Sequence, residues 1–171
     1  MTGPCFVDAN VFVYAQDARD PRKHRRAEEW LDALWRARLG RTSAQALSEF
    51  YVVATRKLRI APEIAWEEAG RYFGWRPQPV DEALLRHARD VERRHGISWW
   101  DSMIVAAAQL QNCDLLLTED LQDGMALGGV TVRSPFTLAL GEPAPRYDVA
   151  PITTSRHRPR GRPKRAPAIA G

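Results

Sequence analysis

Four acidic residues in apolar company mark where this sequence could do chemistry. Asp8 ends the apolar run Cys5-Phe6-Val7, and Glu119-Asp120 follow Leu115-Leu116-Leu117 by way of Thr118. Glu49 has Ala46, Val52 and Val53 at helical spacing, and Asp101 opens the apolar stretch from Trp99 to Leu110. Singly, each has an ordinary structural use. A lone glutamate on a helix usually reaches water. Ser98-x-x-Asp101 has capping-box spacing, Asp8 suits an Asx turn, and Thr118-x-Asp120 suits a loop cap. Gathered at one edge, they would have a common consequence. Two carboxylates about 4 Å apart repel by about 4 kcal/mol at an effective dielectric near 20, so a cluster must hold protons or a cation. Oxygen donors without nearby cysteine or histidine favour Mg²⁺ or Mn²⁺ over zinc. Water retained by such an ion can attack phosphorus.

The elements that would bring these acids together are strands and helices in alternation. Cys5–Val7 reads as a buried strand delivering Asp8, with a turn into a helix through Val11 and Tyr14. Pro21 opens a helix carrying Ala27, Trp30, Leu31, Leu34 and Trp35, and Gly40 stops it. Thr42 or Ser43 caps a helix from Ala44 to Leu58 with Leu47, Phe50, Tyr51 and Ala54 on one face. Pro62 starts another that ends near Gly74, and a fifth runs through Leu84, Ala88 and Val91 to Gly96. Ser98 then precedes the Trp99–Leu110 helix. Leu115–Leu117 and Val130–Val132 read as further buried strands. This pattern predicts an α/β domain with a mostly parallel sheet flanked by helices, in which sites form beyond the carboxyl ends of the strands.

Charge divides the chain. The formal net charge is +4, yet residues 142–171 carry seven basic against two acidic side chains, and residues 1–141 net −1. Six of the 12 prolines also fall in the tail. The boundary is therefore expected near Gly141, with a folded domain over 1–141 and a disordered basic tail over 142–171. Two cysteines in apolar runs predict buried thiols in a cytoplasmic protein rather than disulfides or zinc. No stretch is long and apolar enough to span a bilayer, and no secretory leader pattern is present. The histidines lack metal spacing, and neither a nucleophile elbow nor a phosphate-binding glycine loop occurs. Trp99-Trp100 invites comparison with base-stacking pairs, although at least one tryptophan beside so apolar a helix is expected in the core.

The ordered segments Phe6-Val-Asp-Ala-Asn-Val, Ser48-Glu-Phe, Ser98-Trp-Trp-Asp-Ser-Met-Ile-Val-Ala-Ala-Ala and Leu115-Leu-Leu-Thr-Glu-Asp-Leu together resemble the PIN-domain nucleases, specifically VapC-like toxins of bacterial toxin–antitoxin pairs. The resemblance runs from about Phe6 to Arg133. It implies a three-layer PIN-like domain acting as a Mg²⁺-dependent endoribonuclease, cytoplasmic, homodimeric and inhibited by a protein antitoxin. It implies RNA products with a 5′-phosphate and a 3′-hydroxyl. Asp8, Glu49 and Asp101 match the family's first three acids, which with Asp120 would bind metal and act in catalysis, Thr118 serving as a supporting hydroxyl. The commoner family pattern has an aromatic two residues after the fourth acid. Here the chain reads Asp120-Leu-Gln-Asp-Gly, leaving Glu119 and Asp123 as substitutes.

Pro159-Arg160-Gly161-Arg162-Pro163-Lys164 in the tail resembles an AT-hook core, implying a contact of Arg160, Gly161 and Arg162 with AT-rich DNA. A rival class is a non-catalytic nucleic-acid-binding module on the same fold, using the basic tail. Retained acids favour the enzyme, because carboxylates repel the phosphates a pure binder must hold. A phosphatase beginning at Asp8 would want an acid two residues on, where Asn10 stands.

Overall fold

Register between two short strands builds the edge on which everything else depends. The computed structural model describes residues 3–138. Strand β1 (Cys5–Val7) pairs in parallel with β3 (Leu115–Leu117), Val7 opposite Leu117. Asp8 and Thr118, the next residue on each, therefore emerge side by side. The sheet order is β2-β1-β3-β5-β4, with β2 at Gly40–Arg41, β4 at Ala126–Leu127 and β5 at Val130–Arg133. All pairings are parallel except β4 with β5. β2 and β4 are additions to the three strands expected from the sequence. Each is two residues long and held by a neighbour rather than by an apolar run of its own.

The pleat sends alternate residues to opposite layers. Cys5, Val7, Leu115 and Leu117 join a core with helices α1 (Ala9–Tyr14), α2 (Pro21–Ala37), α3 (Ala44–Arg56) and α4 (Pro62–Arg71). Phe6, Leu116, Val130 and Val132 join a second core with α5 (Glu82–His95) and α6 (Trp99–Leu110). Both faces are covered, which explains the unbroken apolar runs of β1 and β3. The expected α/β architecture of a mostly parallel sheet between helical layers is observed.

Local chemistry sets the helix ends. Asp20 accepts from the Arg22 and Lys23 amides with Pro21 at the first position, Ser43 accepts from Ala46, and Asp81 accepts from Leu84. Gly96 closes α5 at φ 67°, a conformation that glycine adopts without Cβ strain. α4 stops at Arg71 and a 3₁₀ turn carries Tyr72–Trp75, so the long helix expected up to Gly74 tightens at its end. That turn delivers Tyr72 and Trp75 to Phe12, at centroid distances of 4.5 and 6.2 Å. Trp35, placed by periodicity on the buried face of α2, is 48% exposed. Cys5 and Cys113 are buried free thiols as expected. Burial, then the neighbouring Cys113, pushes the Cys5 thiol up, while burial takes Cys113 to about 12, so neither is a ready nucleophile.

Gly40 is a close approach of backbone to ring. A Cβ there would stand 2.4–2.6 Å from the indole of Trp75. Gly40→Ala is expected to lower unfolding free energy by about 1–3 kcal/mol, measured by urea denaturation. An unchanged midpoint would mean that Trp75 moves aside freely.

No helix among the described residues is long and apolar enough to cross a membrane. The domain boundary expected at Gly141 and the tail residues Arg160, Gly161 and Arg162 lie outside the described residues.

Candidate active site

Asp8 leaves the central strand at its carboxyl end and is 6% exposed. It caps α1, accepting the Ala9 amide at 2.7 Å. Its other oxygen accepts the Thr118 hydroxyl at 2.7 Å. Thr118 accepts in turn from the Asp120 amide at 3.1 Å and from Asn10 Nδ2 at 2.9 Å. Asn10 Nδ2 also donates to Asp120 Oδ2 at 3.2 Å and lies 3.5 Å from Asp8 Oδ2. Two carboxylates are thus joined through one hydroxyl and one carboxamide.

This environment raises the Asp8 carboxyl to about 7. Burial is the largest cause, opposed by the hydrogen bonds from Thr118 and Ala9. The charges of Asp120 and Glu49 push it further up. Repulsion among acids, the effect foreseen from the sequence, is therefore present but secondary to desolvation.

The neighbours of Asp120 separate the three acids of that loop. Lys23 Nζ bonds both oxygens of Glu119, at 2.6 and 2.9 Å, and the Tyr14 hydroxyl at 3.1 Å. It also sits 4.5 Å from the centre of the Tyr14 ring. Burial alone would lower the Lys23 pKa, but the bonds to Glu119 and Tyr14 outweigh it and hold it up. Asp123 accepts from Arg133 at 2.9 Å and from the Ser134 amide at 2.8 Å. Glu119 and Asp123 are committed to tying the loop down. Asp120 faces Asn10 and Thr118.

Glu49 and Asp101 stand further out. Glu49 is exposed on α3 and accepts Gln45 Nε2 at 3.0 Å. Its apolar helical neighbours do not bury it, since Val52 is itself exposed while Ala46 faces the core. Asp101, half-buried, accepts the Ser98 hydroxyl at 2.6 Å while Ser98 Oγ accepts the Asp101 amide at 3.1 Å. Half of the capping box foreseen from the spacing is formed: Ser98 caps the Asp101 amide, but the Asp101 carboxylate takes the Ser98 hydroxyl rather than its backbone N–H. Asp101 lies in the first turn of α6, whose Trp100 and Met103 line one cleft with Gln45 and Glu49. Among the described residues, no three acidic, histidine or cysteine side chains already stand together as a cation cage. Asp8 and Asp120 share one network, Glu49 reaches Asp8 only through its charge, and Asp101 is held by its cap.

The donor set nevertheless suits a hard divalent cation. Every polar side-chain atom around Asp8 is oxygen or amide, and Asn10 Oδ1 is buried without a partner. In the sequence Asn10 stood out only as a member of the first motif and as the residue that disfavours a phosphatase. Its bridging role depends on partners 108 and 110 positions away in the chain. His24 and His87 are spent elsewhere, on the Tyr14 carbonyl and Gln109.

Comparison with known proteins bears on the family and the fold. The family model described as the PIN domain matches residues 5–122. Mycobacterium tuberculosis VapC20, a sarcin-ricin loop cleaving toxin, is a similar solved structure at 21% identity and a TM-score of 0.53, over 68% of this chain and 89% of that one. A toxin–antitoxin complex from Klebsiella pneumoniae is similar at 18% identity and a TM-score of 0.53, over 77% of this chain and 97% of that one. At these identities the two structures establish a shared fold. No curated protein matches the sequence.

Proposed function

The chain belongs to the PIN domain family, and we propose that it is a divalent-metal-dependent endoribonuclease serving as the toxic component of a type II toxin–antitoxin system. The observation that carries this reading is the buried Asp8 carboxyl, joined to Asp120 through Thr118 and Asn10 at the carboxyl end of the sheet. A pure binding module gains nothing from burying a carboxylate where RNA phosphates must approach.

Asp8 and Asp120, completed by Glu49 and Asp101, would hold Mg²⁺ or Mn²⁺. A cation bound there supplies Lewis acidity for attack by water on a phosphodiester. The chain's own residues prepare the place. Thr118 donates to Asp8, fixing one oxygen. The Ala9 amide fixes the other. Asn10 holds Asp120 alongside, and the Lys23–Glu119 pair anchors the loop that carries it. Ser98 orients Asp101 at the start of α6. The test is cleavage of end-labelled RNA by the purified full chain, expected with Mg²⁺ or Mn²⁺ and lost on chelation. Cleavage undiminished by chelator would remove the metal from the account.

Asp120 is the fourth acid on this reading, because Glu119 and Asp123 already have cationic partners. Asp120→Asn is expected to lower the cleavage rate at least about tenfold, the scale of losing one metal-site contact. Glu119→Gln should cost only a few-fold, through a looser loop. The reverse ranking would transfer the role to Glu119.

The family reading extends to partners. A protein antitoxin would inhibit the enzyme, as the similar Klebsiella pneumoniae complex encourages, and the working unit would be a homodimer in the cytoplasm. Residues 142–171 form a separate basic tail in this reading, with Arg160, Gly161 and Arg162 contacting AT-rich DNA. Full chain should then prefer AT-rich over GC-rich duplex, and Arg160→Ala with Arg162→Ala should abolish the preference. No preference in the unaltered chain would leave a tail acting by charge alone.

A further inference from the structure

Beside the acids lies a cleft of about 480 Å³ with two unlike walls. One wall is apolar, made by Trp100 and Met103 of α6 and by Val80 in the link before α5. The other belongs to α3, with Gln45 and Glu49. The Trp99-Trp100 pair divides its labour across them. Trp99 packs partly against the sheet's second core, whereas Trp100 remains 63% exposed. Val80, its companion on the apolar wall, is 53% exposed. An aromatic plane facing solvent across a cleft from polar side chains is a ready stacking surface for a flat ring.

Gln45 gives the occupant its chemistry. The side chain is 9% exposed. Its Nε2 donates to Glu49, while its Oε1 is buried without a partner. Leaving a buried carbonyl unpaired is costly, so this oxygen is an acceptor in want of a donor. A carboxamide offering both a free acceptor and an N–H matches a base edge that pairs an amino group with a ring nitrogen, as adenine's does and uracil's does not. An aromatic plane opposite such a group is how unpaired RNA bases are commonly held, stacked on one side and read at the edge.

We propose that this cleft seats one unpaired base of the RNA, stacked on Trp100 and read by Gln45. The inference rests on the proposed ribonuclease activity and names part of its substrate recognition. Continuity with the acids supports it: Glu49 forms part of the cleft wall. A base lodged here brings its own phosphate to the acidic edge. The cleft would therefore help to choose where the strand is cut. A protein partner is the less economical occupant, because a small cleft with a half-paired carboxamide beside a carboxylate suits a flat polar-edged ring better than a broad apolar surface.

The experiment measures binding of labelled oligoadenylate and oligouridylate to full chain carrying Asp8→Asn, so that no arm is cut, at raised salt where phosphate contacts are weak. Adding Trp100→Ala should weaken oligoadenylate binding about tenfold or more, the scale of one lost stacking platform. Trp100→Phe should retain most of the affinity. Gln45→Leu should erase the advantage of oligoadenylate over oligouridylate. Unchanged affinity in Trp100→Ala, absence of RNA binding, or an effect of Trp100→Ala on oligomeric state alone would each overturn the base site. Cleavage by the otherwise unaltered chain separates the two proposals. If it persists with the same cut sites in Trp100→Ala and Gln45→Leu, the base site falls and the nuclease stands. RNA binding that depends on Trp100, without cleavage under either metal, would sink the nuclease and keep the base site.

Discussion

Asp8→Asn is expected to reduce metal-dependent RNA cleavage on the order of 10²–10³-fold or more, the scale at which loss of one preorganised charge-stabilising group is felt. Of the four proposed metal-binding acids Asp8 is the most buried, and it is the one held at both oxygens, by the Ala9 amide and the Thr118 hydroxyl. Asparagine keeps the shape and removes the charge, so the variant should fold and bind RNA while failing to cut it. Thr118→Val provides the graded companion. It removes the donor to Asp8 and the acceptor for Asn10 and the Asp120 amide, so its loss should be smaller, about 10–100-fold. Cleavage rates under saturating Mn²⁺ and limiting Mn²⁺ separate lost affinity from lost chemistry. Full activity of the Asp8→Asn protein, freed of contaminating nucleases, would move the active centre elsewhere.

The second large effect is on stability against pH. Asp8 has an ordinary value of 3.8 and is raised to about 7 in the metal-free fold, chiefly by burial. Its neutral form is the one the fold prefers. The associated stability is fully present below about pH 4 and is lost as pH rises through about 7. Over that window the metal-free protein should lose about 4 kcal/mol from this one group. Carboxyls elsewhere that are held by cations, such as Asp17 beside the exposed Arg19, act in the opposite direction, but solvent screens such surface pairs. Mg²⁺ should offset the loss above neutrality, because a cation favours the ionised carboxylate. In Asp8→Asn the fall should flatten and the Mg²⁺ benefit shrink. Asparagine cannot reproduce both accepted hydrogen bonds, so its gain at pH 8 should be less than the full amount. Urea midpoints at pH 5 and pH 8, with and without Mg²⁺, measure all four conditions. Parallel pH profiles for the two proteins would show that Asp8 is ionised freely.

The core of the fold was legible because burial wrote itself into the chain. β1 and β3 are unbroken apolar runs between helical layers, and Pro21, Ser43, Pro62 and Ser98 announce their helices by their own chemistry. β2 escaped notice because Gly40 looks like a helix stop, and its strand geometry is imposed by Cys5 across the ladder. β4 has two residues and depends on β5. At the site, the acids were visible one by one, since each adjoins an apolar element. Which of Glu119, Asp120 and Asp123 faces Asp8 was not, because Lys23 and Arg133 decide it from distant positions. Asn10 and Gln45 were missed for the same reason: an amide carries no sign of its use until register supplies its partners. The Trp99-Trp100 pair was half legible, and only the burial of one ring distinguishes the other.

One measurement bears most directly on the claim that these carboxylates hydrolyse RNA with a divalent cation. Purified full chain and its Asp8→Asn counterpart are incubated with cellular RNA in Mg²⁺, and the ends of the new fragments are sequenced. Discrete new cuts are expected that require Mg²⁺ and Asp8 and leave 5′-phosphate and 3′-hydroxyl ends. Fragments ending in 2′,3′-cyclic phosphate, produced equally in chelator or by the Asp8→Asn protein, would contradict it.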